Sequence, residues 1–135
     1  MQTRIVTLAV AAPRSEIFKL LADVEKLPAW AGGFCEWIEL HRGGWRAFTS
    51  LGELAVEARV NDAAGRIELQ FDHVSGPTIS VPIQVRSDGE NGSLVNAICT
   101  QPAGLSDEHY ARLFKSLIAG LRELAERFRP RLVLS

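Results

Sequence analysis

The sequence lacks a marked excess of either charge. Its 135 residues include 15 Lys and Arg and 16 Asp and Glu, which gives a net charge of −1. Nucleic acid and anionic membranes attract proteins through a strongly basic field. The chain has no such field, so we predict neither of these partners.

Long apolar runs are also missing. None approaches the roughly 18 residues that a membrane-spanning helix needs. Arg4 and the apolar residues 5–12 imitate a signal peptide, but the imitation ends after about a dozen residues and a signal needs roughly 15–30. A first strand is the better interpretation of this stretch.

Cysteine is scarce, and only Cys35 and Cys99 are present. Neither belongs to a CxxC pair or has a histidine at metal-ligand spacing. We therefore expect two buried thiols in a reducing compartment, which predicts a cytoplasmic location and no metal site.

The common catalytic motifs are absent. The chain contains no GxSxG, P-loop, GxGxxG or HExxH pattern. No cysteine has an identifiable base, and Glu36 is the only carboxylate near the predicted inner face. We predict no cofactor, and these absences leave open whether the chain is an enzyme.

Amphipathic periodicity is the strongest feature that is present. Residues 106–128 place apolar side chains three and four positions apart, the spacing of a helix with one apolar face. These side chains are Tyr110, Leu113, Phe114, Leu117, Ile118, Leu121, Leu124, Ala125 and Phe128. Ser106 is the predicted N-cap, and Pro130 stops the helix. A helix this long needs a matching apolar surface.

The chain before this helix predicts strands with one helical interruption. Residues 3–10 form the first strand. Pro13 begins a helix, and Asp23 begins a second short helical piece that Pro28 and a Gly pair break up. Six further strands follow, joined by short turns.

The four middle strands can be tested against one another. Turns at residues 43–44, 51–52 and 62–65 put the apolar partners on one face. Arg59 then lies opposite Glu68 on the outer face. The inward side chains of the last of these hairpins are Val56, Ala58, Leu69 and Phe71.

The last two strands, roughly 79–87 and 93–100, are joined by a loop at 88–91. This pairing places Asn96 on the inward face. A buried amide without partners costs about 1–3 kcal/mol. Asn96 therefore either anchors a ligand carbonyl or bonds a water or a backbone group.

This order of elements resembles the START-like (SRPBCC) superfamily of birch-pollen allergens, lipid-transfer domains and polyketide cyclases. The sequence text is also similar: AP at 12–13, EIFKLLAD at 16–23, LPAW at 27–30 and QP at 101–102. The resemblance covers essentially the whole chain, residues 1–135, as one domain.

The resemblance implies an α+β helix-grip fold. A seven-stranded curved antiparallel sheet would wrap around the long C-terminal helix, with two short helices after the first strand. In that family the cavity between sheet and helix holds an apolar ligand or, in some members, an active site.

His73 is the polar residue of most interest, because it ends an apolar strand on the predicted inward face. It is either a proton donor or acceptor at a cavity mouth or a strand-end histidine bonded to solvent or a loop carbonyl. Gly120 in the long helix makes room for a ligand or for a close strand. The candidate ligand-binding side chains, for which core packing is the alternative, are Trp30, Trp45, Thr49, Val56, Phe71, Tyr110, Phe114 and Leu117.

Three functions stay open. The first is binding of a hydrophobic small molecule, a lipid or an aromatic, polyketide-like metabolite. The second is a cyclase or dehydratase that uses His73 as acid or base and Asn96 to orient a carbonyl. The third is a protein-interaction module or homodimer that uses the apolar tail at 131–134. A roomy cavity favours binding, and a collapsed cavity with an apolar outer patch favours interaction.

Overall fold

The computed structural model describes residues 2–73 and 76–129. Its strands form one antiparallel sheet in the order β1-β7-β6-β5-β4-β3-β2. The strands are β1 Thr3–Val10, β2 Cys35–His41, β3 Gly44–Thr49, β4 Gly52–Asn61, β5 Arg66–Asp72, β6 Thr78–Ser87 and β7 Ser93–Thr100. The helices are α1 Arg14–Ala22, α2 Leu27–Trp30 and α3 Asp107–Arg127, with a 3-10 turn at Val24–Lys26. None of the described helices is long and apolar enough to span a membrane.

The long helix forms where the sequence predicts it. The Ser106 hydroxyl accepts a hydrogen bond from the His109 backbone N–H at 3.2 Å, which caps the first turn. The apolar face packs into the core and is buried at Tyr110, Leu113, Phe114, Leu117, Leu121 and Leu124. The predicted stop at Pro130 and the apolar tail at 131–134 lie outside the described residues.

The helical interruption after β1 differs in detail from the prediction. Pro13 is the N-cap of α1, one position before the expected first turn. Asp23 caps the 3-10 turn by accepting from the Glu25 N–H at 3.1 Å. Pro28 lies in the first turn of α2 and does not break it, because the N–H that proline lacks has no helical partner there.

The predicted inward and outward faces of the middle strands are confirmed, although part of the predicted pairing is not. The turn at 62–65 pairs Val56 with Phe71 and Arg59 with Glu68, as predicted. The first two turns fall one residue earlier than expected, at 42–43 and 50–51. Arg42 and Gly43 both have positive φ, at 50° and 79°, as a two-residue hairpin turn requires. The pairing therefore moves by two positions, and the inward face is unchanged because the side-chain period is also two.

The predicted register between β6 and β7 is wrong by one residue. Val85 pairs with Val95, and Ile83 pairs with Ala97. The loop spans 88–92 and not 88–91, since the Asp88 N–H bonds the Gly92 carbonyl at 2.9 Å. A one-residue slip moves every side chain to the other face. Asn96 therefore lies on the outer face, and so does Thr100, whose hydroxyl contacts that of Thr3 at 3.2 Å.

Candidate ligand-binding site

A small void lies where α2 and α3 meet the inner face of the sheet. Its volume is about 20 Å³, close to the roughly 10–15 Å³ that one water needs. The cavity expected beneath α3 is therefore reduced to a space far below the 300–1,000 Å³ of most ligand pockets. The lining side chains are Leu27, Trp30, Ala31, Phe34, Leu69, Phe71, Val81, Leu113 and Leu117.

Trp30 is the unusual member of this lining. Its side chain is almost fully buried, and its Nε1–H has no hydrogen-bond partner among the described residues. Leaving a buried donor unpaired costs about 1–3 kcal/mol, and such groups need an explanation in a native structure. The residues that line the void are thus apolar, and one of them, Trp30, has an indole N–H without a partner in the described part of the chain.

Gly120 explains how α2 can lie so close to α3. A Cβ added at Gly120 would stand 2.0 Å from the Trp30 carbonyl oxygen. The glycine therefore makes room for the end of another helix, and neither a ligand nor a strand fills that space. The approach positions the Trp30 backbone directly against α3.

The segment after α2 closes the void from the side. The N–H groups of Phe34 and Cys35 donate to the Ala31 carbonyl at 2.9 and 2.8 Å. The Phe34 ring meets the Phe71 ring edge-on, with centroids 5.3 Å apart. Ser50 in the β3–β4 turn donates its N–H to the Phe34 carbonyl at 3.1 Å. These contacts attach residues 27–35 to the sheet.

The void is lined by three of the eight predicted ligand-binding residues: Trp30, Phe71 and Leu117. Tyr110 and Phe114 lie elsewhere in the core, beneath the Arg4 guanidinium at 5.7 and 5.3 Å from their ring centroids. Helix α3 instead contributes Leu113 to the wall.

The other three predicted lining residues also lie away from the void. The Thr49 hydroxyl donates to the Gly52 carbonyl at 2.8 Å and stabilises the β3–β4 turn, the structural alternative for this residue. Trp45 and Val56 line a separate groove of about 530 Å³ between the 3-10 turn and strands β3 and β4.

The predicted catalytic pair is not assembled. His73 lies one residue beyond β5, and its Nε2 would be 3.9 Å from a Cβ added at Gly52 in the β3–β4 turn. Asn96 lies on the outer face, where its Oδ1 accepts from the Thr7 hydroxyl at 2.7 Å. Neither residue lines the void, so they do not border one cavity beneath α3.

The buried titratable groups favour their neutral forms. Burial raises the pKa of the Cys99 thiol to about 11, although the positive charge of Arg4 opposes the shift. Burial also raises the pKa of Cys35 and of Tyr110. Both cysteines are free and buried, as predicted. Neither thiol has the lowered pKa of a catalytic nucleophile.

The chain has the START-like helix-grip fold, an antiparallel sheet folded around a long C-terminal helix. The protein XoxI from Bacillus cereus superposes with a TM-score of 0.74 at 22% identity, over 95% of this chain and 96% of that one. A START superfamily protein from Mycobacterium smegmatis gives 0.70 at 14% identity, over 94% and 99%. The di-domain ARO/CYC BexL from the BE-7585A biosynthetic pathway gives 0.66 at 16% identity, over 95% of this chain and 45% of that one. No protein-family model and no curated protein sequence matches the chain.

Proposed function

We propose that the chain binds a hydrophobic small molecule between α3 and the sheet, in a site that opens when residues 27–34 move. The observation that carries the proposal is that Trp30, whose buried Nε1–H has no partner among the described residues, belongs to the lining of an apolar void. A buried water usually makes about three hydrogen bonds, and this lining offers it a single donor. A ligand with an apolar body and one acceptor fits the site better.

Residues 27–34 are the proposed moving segment because they supply a large share of the lining. Residues 27–34 supply four of its nine members: Leu27, Trp30, Ala31 and Phe34. Helix α2 within this segment is four residues long, and so short a helix depends on its packing for stability. We therefore place the opening in this segment, because moving a four-residue helix leaves both the strand ladder and the 21-residue helix α3 intact.

The ligand class follows from the same lining and from the fold. An aromatic ketone or a lipid with a single carbonyl has the required apolar body and acceptor. The ARO/CYC and START proteins that share the fold support a polyketide-like or lipid ligand. A cyclase or dehydratase activity of His73 stays a prediction, as do the cytoplasmic location and the homodimer. Passive binding is better supported, because none of the described residues that line the void is titratable. The nearly filled interior and the exposed Ile5 and Ile98 on the outer face also fit the protein-interaction module, which stays a prediction as the second candidate.

Two matched probes test the proposal. 2-Acetylnaphthalene carries one carbonyl acceptor, and 2-ethylnaphthalene has nearly the same shape without it. We expect the ketone to bind more tightly by about 2- to 10-fold, the equivalent of one net hydrogen bond. Trp30→Phe should abolish this difference, and titration calorimetry measures both affinities.

Trp37→Phe is the control, because Trp37 lies exposed on β2 and its indole N–H already bonds Glu39 at 3.3 Å. This variant should retain the preference for the ketone. If neither naphthalene binds the unmodified protein, the proposal fails. An equal preference in Trp30→Phe would show that the ketone binds elsewhere.

A further inference from the structure

The outer face of the sheet contains a larger hollow than the interior does. This outer groove crosses strands β1, β7, β6, β5 and β4 and has a volume of about 810 Å³. That volume lies within the range of small-molecule sites. The groove is on the face of the sheet opposite α3, so it is separate from the void that Trp30 lines.

The floor of the outer groove is apolar and exposed. Ile5 on β1 is 64% exposed, and its neighbour Ile98 on β7 is 37% exposed. Pro82 on β6 also lines the groove. A contiguous apolar surface bordered by polar side chains indicates a binding role more often than isolated exposed residues do.

A row of hydrogen-bond donors borders this floor. Asn96, Gln84 and Arg66 are cross-strand neighbours on β7, β6 and β5, so the row is about 10 Å long at the usual strand spacing. The acceptor oxygens of both amides are already used, by Thr7 at 2.7 Å and by Arg86 at 3.2 Å. In the described part of the chain, their NH₂ groups and the Arg66 guanidinium have no partner.

The charges along the groove add to this donor row. Arg59 and Arg66 both line it, and Glu68 is the one carboxylate in the lining. Glu68 accepts from the Ser80 hydroxyl at 2.9 Å, and Arg59 contacts Glu57 at 3.3 Å. Among the described residues that line the groove, Arg66 is thus the arginine without an ion pair, and it places an uncompensated guanidinium at the end of the donor row.

We infer that the outer groove binds a small amphipathic carboxylate. Its ring or short chain rests on Ile5, Ile98 and Pro82, and its carboxylate accepts from Arg66 and the neighbouring amides. An acceptor-rich, negatively charged edge complements a row that presents only donors. This site does not depend on the opening of the interior.

The probe is 2-naphthoate, titrated into protein labelled with ¹⁵N. We expect the side-chain NH₂ signals of Asn96 and Gln84 to shift, while the indole N–H signal of Trp30 stays in place. Arg66→Gln should weaken binding by about tenfold, as the loss of a charge-assisted hydrogen bond implies. Arg112→Gln on α3 removes the same charge from an exposed ion pair with Glu108 and should leave the affinity unchanged.

Three outcomes would overturn the inference. Equal binding by Arg66→Gln would show that the guanidinium does not hold the carboxylate. Shifts confined to Trp30 would place naphthoate in the interior, which would contradict this inference while leaving the proposed function intact. Concentration-dependent broadening of the Ile5 and Ile98 signals without ligand would show that a second copy of the chain covers the groove.

Discussion

Gly120 shows how one residue determines where an element lies. Glycine in mid-helix costs about 1 kcal/mol relative to alanine, and its helical context alone does not explain it. The explanation is the Trp30 carbonyl, which occupies the space that a Cβ at Gly120 would take. The same close approach fixes the backbone of the residue whose indole lines the void.

Gly120→Ala should therefore destabilise the protein, although alanine is the better helix former. We expect the free energy of unfolding to fall by about 1–3 kcal/mol, since the clash involves backbone and cannot relax through a rotamer change. Urea denaturation measures this change. Gly33→Ala is the control, because its Cβ would meet Ser116 at an ordinary 3.7 Å. A Gly120→Ala protein as stable as the parent would contradict the packing of α2 on α3.

The buried thiol of Cys99 should make the protein less stable as the pH rises into the alkaline range. Burial raises the pKa of its thiol from 9.0 to about 11, so between these values the unfolded chain loses the proton and the folded chain keeps it. The unfolded state then binds fewer protons, and the free energy of unfolding falls as pH rises. The raised pKa values of Cys35 and Tyr110 act in the same direction.

Urea denaturation at pH 7.5 and pH 10.5 tests this dependence. Cys99 should account for about 2 kcal/mol of the stability lost between the two pH values. In Cys99→Ala we expect a correspondingly smaller loss, whatever the variant's stability at neutral pH. If the loss is the same in both proteins, the thiol does not titrate in this window.

At the scale of elements, α3 forms one wall of the core and supplies two lining residues of the void, Leu113 and Leu117. Its apolar face is predicted by the sequence because helical periodicity is a local property. Which part of that face borders a void depends on what lies opposite. Residues from α2 and the centre of the sheet determine that.

Leu117→Ala should cost about 2–5 kcal/mol, because Leu117 is buried and its truncation adds to a void that already exists. Leu121→Ala removes the same atoms from a buried site that does not line the void. We expect both variants to be destabilised in thermal unfolding, but only Leu117→Ala to bind 2-ethylnaphthalene more tightly than the parent. A loss below about 1 kcal/mol for Leu117→Ala would mean that the site is not packed.

At the scale of the whole molecule, the interior is nearly filled, and any ligand there requires a rearrangement. The outer groove requires none, since it is already open. The two sites therefore differ in what binding costs. An interior ligand must offset the free energy of displacing α2, whereas an outer ligand must only displace water.

Hydrogen exchange distinguishes a movable α2 segment from a rigid one. The Phe34 and Cys35 amides, which bond the Ala31 carbonyl, should exchange faster than the amides of β6 and β7 by at least tenfold. Local opening of residues 27–34 would expose the first pair while the centre of the sheet stays closed. Equal protection across these amides would contradict the proposed route of ligand entry.

The sequence by itself determined the element order, the apolar face of α3, and the inward face of strands β4 and β5. Helical and strand periodicity are local, and a turn misplaced by one residue changed the pairing by two positions without changing the face. The START-like fold could be predicted for the same reason, since local periodicity indicates the order of its strands and helices.

Only the tertiary structure decided what the fold encloses. In β7, the face with Leu94, Asn96 and Ile98 and the face with Val95, Ala97 and Cys99 are both largely apolar, so alternation could not choose between them. The loop at 88–92 made that choice and moved Asn96 from the expected cavity to the outer groove. The size of the interior cavity could not be predicted from the sequence either. It depends on how tightly side chains from distant elements pack against one another, and no local sequence pattern records that packing.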